Sequence, residues 1–190
     1  TEEEFQSQFG LSNPPILSQL HEFAGLSTPA PEVMAQLAED KEVRFRALIS
    51  GAFPIMHGVG PLLAELRDGG WKIAIGSSAP RGNIDLAIQE FSAVGIVFDA
   101  VACGCDVKQG KPAPDLFLLA ASRLQMDPAA CVVIEDAAAG IEAAGRAGMA
   151  GVGLVSKGRT HDELKEADLV VDDLAELNAA VLGRMVGVHS

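Results

Sequence analysis

The first fifty residues repeat their apolar positions at helical spacing, and the rest of the chain replaces that rhythm with short unbroken apolar runs. Thr1 and Glu4 stand at the spacing of a capping box, which starts a helix. Asn13, Pro14 and Pro15 open a second helix, with Ile16, Leu17 and Leu20 on one face. Pro31 opens a third, in which Val33, Met34, Leu37, Phe45, Leu48 and Ile49 recur at helical spacing. The pattern predicts a small helical unit with one apolar side. Residues 51–60, with Pro54 between glycines, read as a hinge.

From residue 61 the pattern alternates. It predicts helices at 62–66, 83–91, 115–124 and 137–147, a short helix at 161–166, and strands at 72–76, 98–102, 131–134, 151–155 and 168–171. Strands that are apolar throughout, each reached through a helix, belong in a parallel sheet covered on both faces. The expected fold class is α/β, with a doubly wound, Rossmann-like sheet. The helical unit occupies residues 1–52 and the sheet-bearing core 53–190.

Composition narrows the partners. Of the 190 residues, 48% are hydrophobic, enough for a sizeable core, and the formal net charge is -12. That charge repels nucleic acid and anionic membranes, so neither is an expected partner. Any phosphate would then have to be captured by a local cation or a metal. Three cysteines are too few for a disulfide framework, and Cys103-Gly104-Cys105 reads as small apolar residues at a strand end. That cysteine usage suits a reducing cytoplasm, and with no run of about 18 apolar residues and no charged-then-apolar leader in the sequence, neither a membrane span nor a signal peptide is expected. His21, His57, His161 and His189 have no metal spacing.

In such sheets ligands bind beyond the carboxyl ends of the strands. Ser77 and Ser78 follow the first predicted strand, a loop reaching Lys111 follows the second, and Glu135 and Asp136 follow the third. Each has a plain alternative. The serines could cap the next helix, Lys111 could be a solvated charge, and Asp136 could cap the helix at 137. Their convergence on one edge points instead to chemistry. Gly76 lets a ligand approach the backbone, and Pro112 and Pro114 stiffen the Lys111 loop. Paired carboxylates suit a hard cation such as Mg²⁺.

Three segments carry a resemblance. Residues 72–84 contain Gly76-Ser77-Ser78, residues 110–117 begin Gly110-Lys111-Pro112-Ala113-Pro114-Asp115, and residues 132–149 contain Glu135-Asp136. In this order, each at a strand end, they resemble the haloacid dehalogenase superfamily, and most closely its β-phosphoglucomutase-like branch. Residues 9–14 and 167–172 continue the similarity, which makes the helical unit a cap domain. The resemblance implies that Ser77, with Ser78 beside it, binds the transferring phosphoryl group and that Lys111 neutralises it. It also implies that Glu135 and Asp136 hold Mg²⁺, and that an Asp nucleophile forms an aspartyl-phosphate with a second Asp as acid/base.

The sequence departs from that pattern twice. No Asp-x-Asp-Gly after an apolar strand is found; Asp40 and Asp68 fall in or at the end of helices. The expectation is that the central first strand, with the nucleophile, lies upstream of Thr1, in about 30–40 residues. The second departure is Asn13, which stands where the branch's mutases carry a phosphate-reading Arg; Lys41 and Arg44 are substitutes or solvated charges. The expected function is a Mg²⁺-dependent phosphatase for a small phosphate ester, working as a cytoplasmic monomer. The alternatives are a hexose-phosphate mutase and a catalytically inactive phosphate- or metal-binding module. A dinucleotide site is disfavoured, because Gly145, Gly148, Gly151 and Gly153 lie between a helix and a strand.

Overall fold

Apolar runs become parallel strands because helices cover the sheet and most connections return the chain to the same end; β2 and β4 are the most buried, and β1 is half-buried throughout. The computed structural model describes residues 13–51 and 53–187, with the side chains of Asn13, Pro14 and Pro15 outside that description. The expected capping box at Thr1 therefore lies outside the described residues, as does the side chain of Asn13 on which the comparison rests. Helices α1 (Asn13–Phe23) and α2 (Pro31–Ile49) precede α3 (Val59–Asp68). Then come β1 (Ala74–Ser77), α4 (Arg81–Ala93), β2 (Ala100–Cys103), α5 (Asp115–Leu124) and β3 (Val132–Glu135). The chain continues through α6 (Ala138–Arg146), β4 (Ala150–Leu154), β5 (Leu169–Val171) and α7 (Ala179–Met185). Among the described residues no helix is long and apolar enough to cross a membrane.

The strands form two parallel sheets. β1 pairs with β2, in register from Ala74↔Ala100 to Ser77↔Cys103. β3 pairs with β4, and β4 with β5. Among the described residues nothing pairs β1 with β3. Between them lies a cleft of about 410 Å³, lined by Ala74 and Gly76 of β1, Val132–Ile134 of β3, and Phe117 of α5. One parallel strand placed there would give the order β2-β1-slot-β3-β4-β5, a doubly wound sheet with its first strand at the centre.

Helices join the half-sheets on one face. Leu116 and Ala120 of α5 pack with Ala102 of β2, while Phe117 and Ala121 meet Val133, Ala143 and Met149. Leu62 and Leu66 of α3 and Leu182 of α7 cover Val152, Leu154 and Val171. Leu116, Val152 and Leu182 are buried to 2% exposure or less. Burial of such a side chain is worth about 1.5–3 kcal/mol.

Two expectations need correction. Residues 161–166 form turns, not a helix. Leu164 is fully buried against Gly153, where an added Cβ would lie 2.9 Å from the Leu164 Cβ. The chain presses on β4 there, and although Thr160 and Glu163 make the reciprocal bonds of a capping box, only turns follow. On α2 most of the apolar side is uncovered: Val33, Leu37, Phe45 and Leu48 are exposed, while Met34 and Ile49 are half-buried. Leu48 is 80% exposed, and the buried residue is Glu42. Its carboxylate accepts from Asn83 Nδ2, and Arg46 donates to Asn83 Oδ1 at 3.0 Å. Helix α2 thus rests on the start of α4 through polar contacts.

Candidate active site

Strands β1 and β3 begin and end slightly later than the sequence pattern suggests, and this places polar residues on them. Ser77 is the last residue of β1, and Glu135 is the last of β3. Both therefore stand at the carboxyl edge, on the two sides of the slot.

Lys111 joins those sides. Its Nζ donates to Glu135 Oε2 at 2.8 Å and to the Gly76 carbonyl at 3.4 Å. The ammonium also sits 4.7 Å from the centroid of the Phe117 ring, a cation–π contact. The Lys111 and Glu135 side chains are only 5% and 11% exposed, so this is not a solvated surface charge. Burial pushes the Glu135 carboxyl up, the Lys111 charge and hydrogen bond pull it down, and the Asp136 charge pushes it up again.

Glu135 fits only because residue 140 is glycine. A Cβ on Gly140 of α6 would collide with Glu135 Cγ and Cδ. Ala in place of Gly in a helix normally adds about 1 kcal/mol. Here the sign should reverse. Gly140→Ala is expected to cost about 1–3 kcal/mol, because overpacking drives Glu135 off Lys111. Urea unfolding checks this, and a stabilised variant would contradict the contact.

Asp136 turns a different way, accepting from Ser156 Oγ at 3.0 Å through Oδ2. Neither capping alternative is seen. Helix α6 has Ala137 as N-cap, and α4 has Pro80, with no side-chain cap on either. Ser77 Oγ instead accepts from Ala79 N–H at 3.2 Å, which folds 77–79 into a tight turn. Ser78 Oγ is buried and has no hydrogen-bond partner among the described residues. A buried hydroxyl without a partner is costly, and a phosphoryl oxygen would satisfy it.

The structure thus gathers Ser77, Ser78, Lys111, Glu135 and Asp136 at one sheet edge. Lys41 stays on the exposed surface of α2, paired with Glu42. Sequence reasoning missed Ser156, Phe117 and Gly140. Ser156 had a signal, since it follows β4 as the others follow their strands. Phe117 and Gly140 had none without the packing.

The carboxylates fit a hard cation. Asp136 offers Oδ1 beside the Ser156-bound Oδ2, while Oε2 of Glu135 is already taken by Lys111. Mg²⁺ commonly takes one or two carboxylates and fills its octahedron with water and phosphate oxygen.

Known proteins resemble this chain in sequence and in fold. The chain is 36% identical over 179 residues to the β-phosphoglucomutase of Bacillus subtilis, covering 91% of this chain and 75% of that one. It is 36% identical over 130 residues to validoxylamine A 7'-phosphate phosphatase of Streptomyces hygroscopicus, covering 67% of this chain and 59% of that one. CbbY of Rhodobacter sphaeroides, solved with xylulose-(1,5)bisphosphate, superposes with a TM-score of 0.80 at 28% identity over 96% of this chain and 83% of that one. The haloacid dehalogenase-like hydrolase profile matches residues 1–148. A match of that extent, with relatives this similar, settles membership: the chain belongs to the haloacid dehalogenase-like hydrolases.

Proposed function

We propose that this chain supplies the phosphate- and Mg²⁺-binding part of a phosphatase acting on a small phosphorylated metabolite, and that its nucleophilic Asp rides on a strand seated between β1 and β3. The observation that carries the reading is Lys111, buried at the mouth of the slot and touching both of its walls. A carboxylate at the carboxyl end of a strand in the slot would emerge between Ser77 and Glu135, beside the ammonium.

In this reading the 77–78 hydroxyls and neighbouring N–H groups bind and orient the phosphoryl oxygens. Lys111 offsets their charge in a site largely closed to water, where a fixed cation is worth more than in solution. Glu135 holds the Lys in place, and Ser156 holds Asp136. Mg²⁺, held by Asp136 with Glu135 beside it, would supply further charge neutralisation on the phosphoryl group. The nucleophilic Asp displaces the ester oxygen to give an aspartyl-phosphate, which water then hydrolyses. The cap, residues 1–52, closes over residues 53–190 through α2 and selects the substrate.

A mutase is the second reading, favoured by the identity to the Bacillus enzyme. In the mutase the phosphoryl group returns to another hydroxyl of the sugar instead of passing to water. Asn13 weighs against it, because a neutral amide makes no charge-assisted pair with a distal phosphate. Supplying β-glucose 1-phosphate separates the two, since a phosphatase releases inorganic phosphate and a mutase yields glucose 6-phosphate. Without a strand in the slot, the chain is expected to bind phosphate and metal but not to turn over.

A further inference from the structure

The turn that closes β2 carries chemistry that the phosphatase reading leaves unused. Cys103, the last residue of β2, is fully buried, and Cys105 lies in the exposed turn after it. The two sulfurs are joined in a disulfide, with Cα atoms 5.4 Å apart, inside the span such a link requires. This corrects the reading of the pair as merely small and apolar. The described chain's remaining cysteine, Cys131, is free and half-buried.

The link touches both ends of the loop that bears the phosphate-binding serines. Cys103 is the register partner of Ser77. Gly104 lies so close that an added Cβ would stand 2.6 Å from the Ser78 carbonyl oxygen. Asp106 fixes the other end. Its carboxylate accepts from Arg81, the first residue of α4, at 2.8 and 2.9 Å, and from Arg123 at 2.8 Å. It also accepts from the Cys103 N–H at 3.0 Å. Residues 103–106 therefore clamp the loop at Ser78 and at Arg81.

We propose that Cys103 and Cys105 form a reversible thiol–disulfide site for small monothiols, and that its redox state sets how firmly the loop 77–81 is held. Its consequence for catalysis rests on the phosphatase reading; the exchange and the loop ordering do not. The exposed Cys105 sulfur is the point of attack. A monothiolate of the glutathione type bonds to it, the Cys103–Cys105 bond breaks, and Cys103 leaves as a thiolate that takes up a proton. A second monothiol attacks the mixed disulfide, releasing Cys105 as a thiol and the oxidised dimer. Two electrons pass from two monothiols to the protein, and the oxidised dimer drives the reverse. Opening the ring frees Gly104 and Cys105 to rotate, so the turn loses its fixed stand against Ser78.

The test equilibrates the protein with mixtures of reduced and oxidised glutathione. Mass spectrometry counts the two hydrogens lost on disulfide formation, and hydrogen exchange follows the amides of Ser78, Ala79 and Arg81. The expected result is an intramolecular disulfide that forms and opens with the ratio, and amides that exchange roughly tenfold faster in the reduced form. Cys105→Ser should exchange like the reduced protein at every ratio, while Cys131→Ser should behave as the parent. No disulfide at any ratio, exchange indifferent to the disulfide, or a response abolished by Cys131→Ser would overturn the proposal. Absent phosphate-ester turnover from the protein with a strand seated in the slot, with the redox response intact, would count against the phosphatase reading alone.

Discussion

Lys111→Ala is expected to cost about 3–5 kcal/mol of folding stability near neutral pH, because it strands a buried carboxylate. Glu135 is 11% exposed and bonded to the Lys at 2.8 Å, and burial already pushes its carboxyl up. Without the ammonium it will rise further above the ordinary Glu value of about 4.3. A group whose folded value is raised favours the fold when protonated, and that advantage disappears as pH climbs through the raised value. The loss should therefore be small near pH 4 and full near pH 8. Urea unfolding at the two pH values measures it. Adding Glu135→Gln should recover much of the loss at the higher pH, since a neutral amide needs no counter-charge. A loss that is the same at both pH values would mean that Glu135 is not the group left stranded.

Asp136→Asn should behave in the opposite way, sparing the fold and removing the metal. The amide keeps the shape and can still accept from Ser156 Oγ, as Asp136 does at 3.0 Å. Stability without metal should change by less than about 1 kcal/mol. Mg²⁺ at a hundred times its dissociation constant should add about 2.7 kcal/mol to the parent protein and almost nothing to the variant. In an active assembly, Mg²⁺-dependent turnover should fall on the order of 10²–10³-fold, the scale of a lost electrostatic contact to the transition state. Thermal unfolding with and without Mg²⁺ reads the first effect independently of activity. Unchanged Mg²⁺ stabilisation and activation would remove Asp136 from the metal site.

Much of this fold was legible because buried parallel strands print themselves as unbroken apolar runs. The runs at 72–76 and 131–134 became β1 and β3, shifted by one or two residues towards their polar ends. Helix 115–124 was read to the residue. The carboxyl-edge rule led to Ser77, Lys111, Glu135 and Asp136, and the structure brings them together. It would have led to Ser156 had it been applied to the fourth strand as well. The choice of partner was not legible. Adjacent Glu135 and Asp136 look like one pair in sequence, but Glu135 turns to Lys111 and Asp136 to Ser156. That choice depends on the space over Gly140, which no local pattern encodes. The turns at 161–166 were misread because the contact of Leu164 with Gly153, eleven residues away, overrides a helical pattern. The disulfide was missed because composition argued against one, and only the closed turn brings the sulfurs together.

Among the described residues β1 and β3 are not paired with each other. The resemblance called for a central strand bearing Asp-x-Asp-Gly, and the two half-sheets leave an apolar slot where that strand would lie. Seating a strand there would satisfy the edge groups of β1 and β3, at about 1–3 kcal/mol for each buried group otherwise unpaired.

The most direct measurement follows β-glucose 1-phosphate by phosphorus NMR with Mg²⁺. It compares the 190-residue chain with the same chain carrying an apolar strand that ends in Asp-x-Asp-Gly, placed to enter the slot. The account predicts release of inorganic phosphate, dependent on Mg²⁺ and on Lys111, only from the protein with the strand. Full activity of the 190-residue chain alone, conversion to glucose 6-phosphate without release, or no turnover with the strand in place would contradict it.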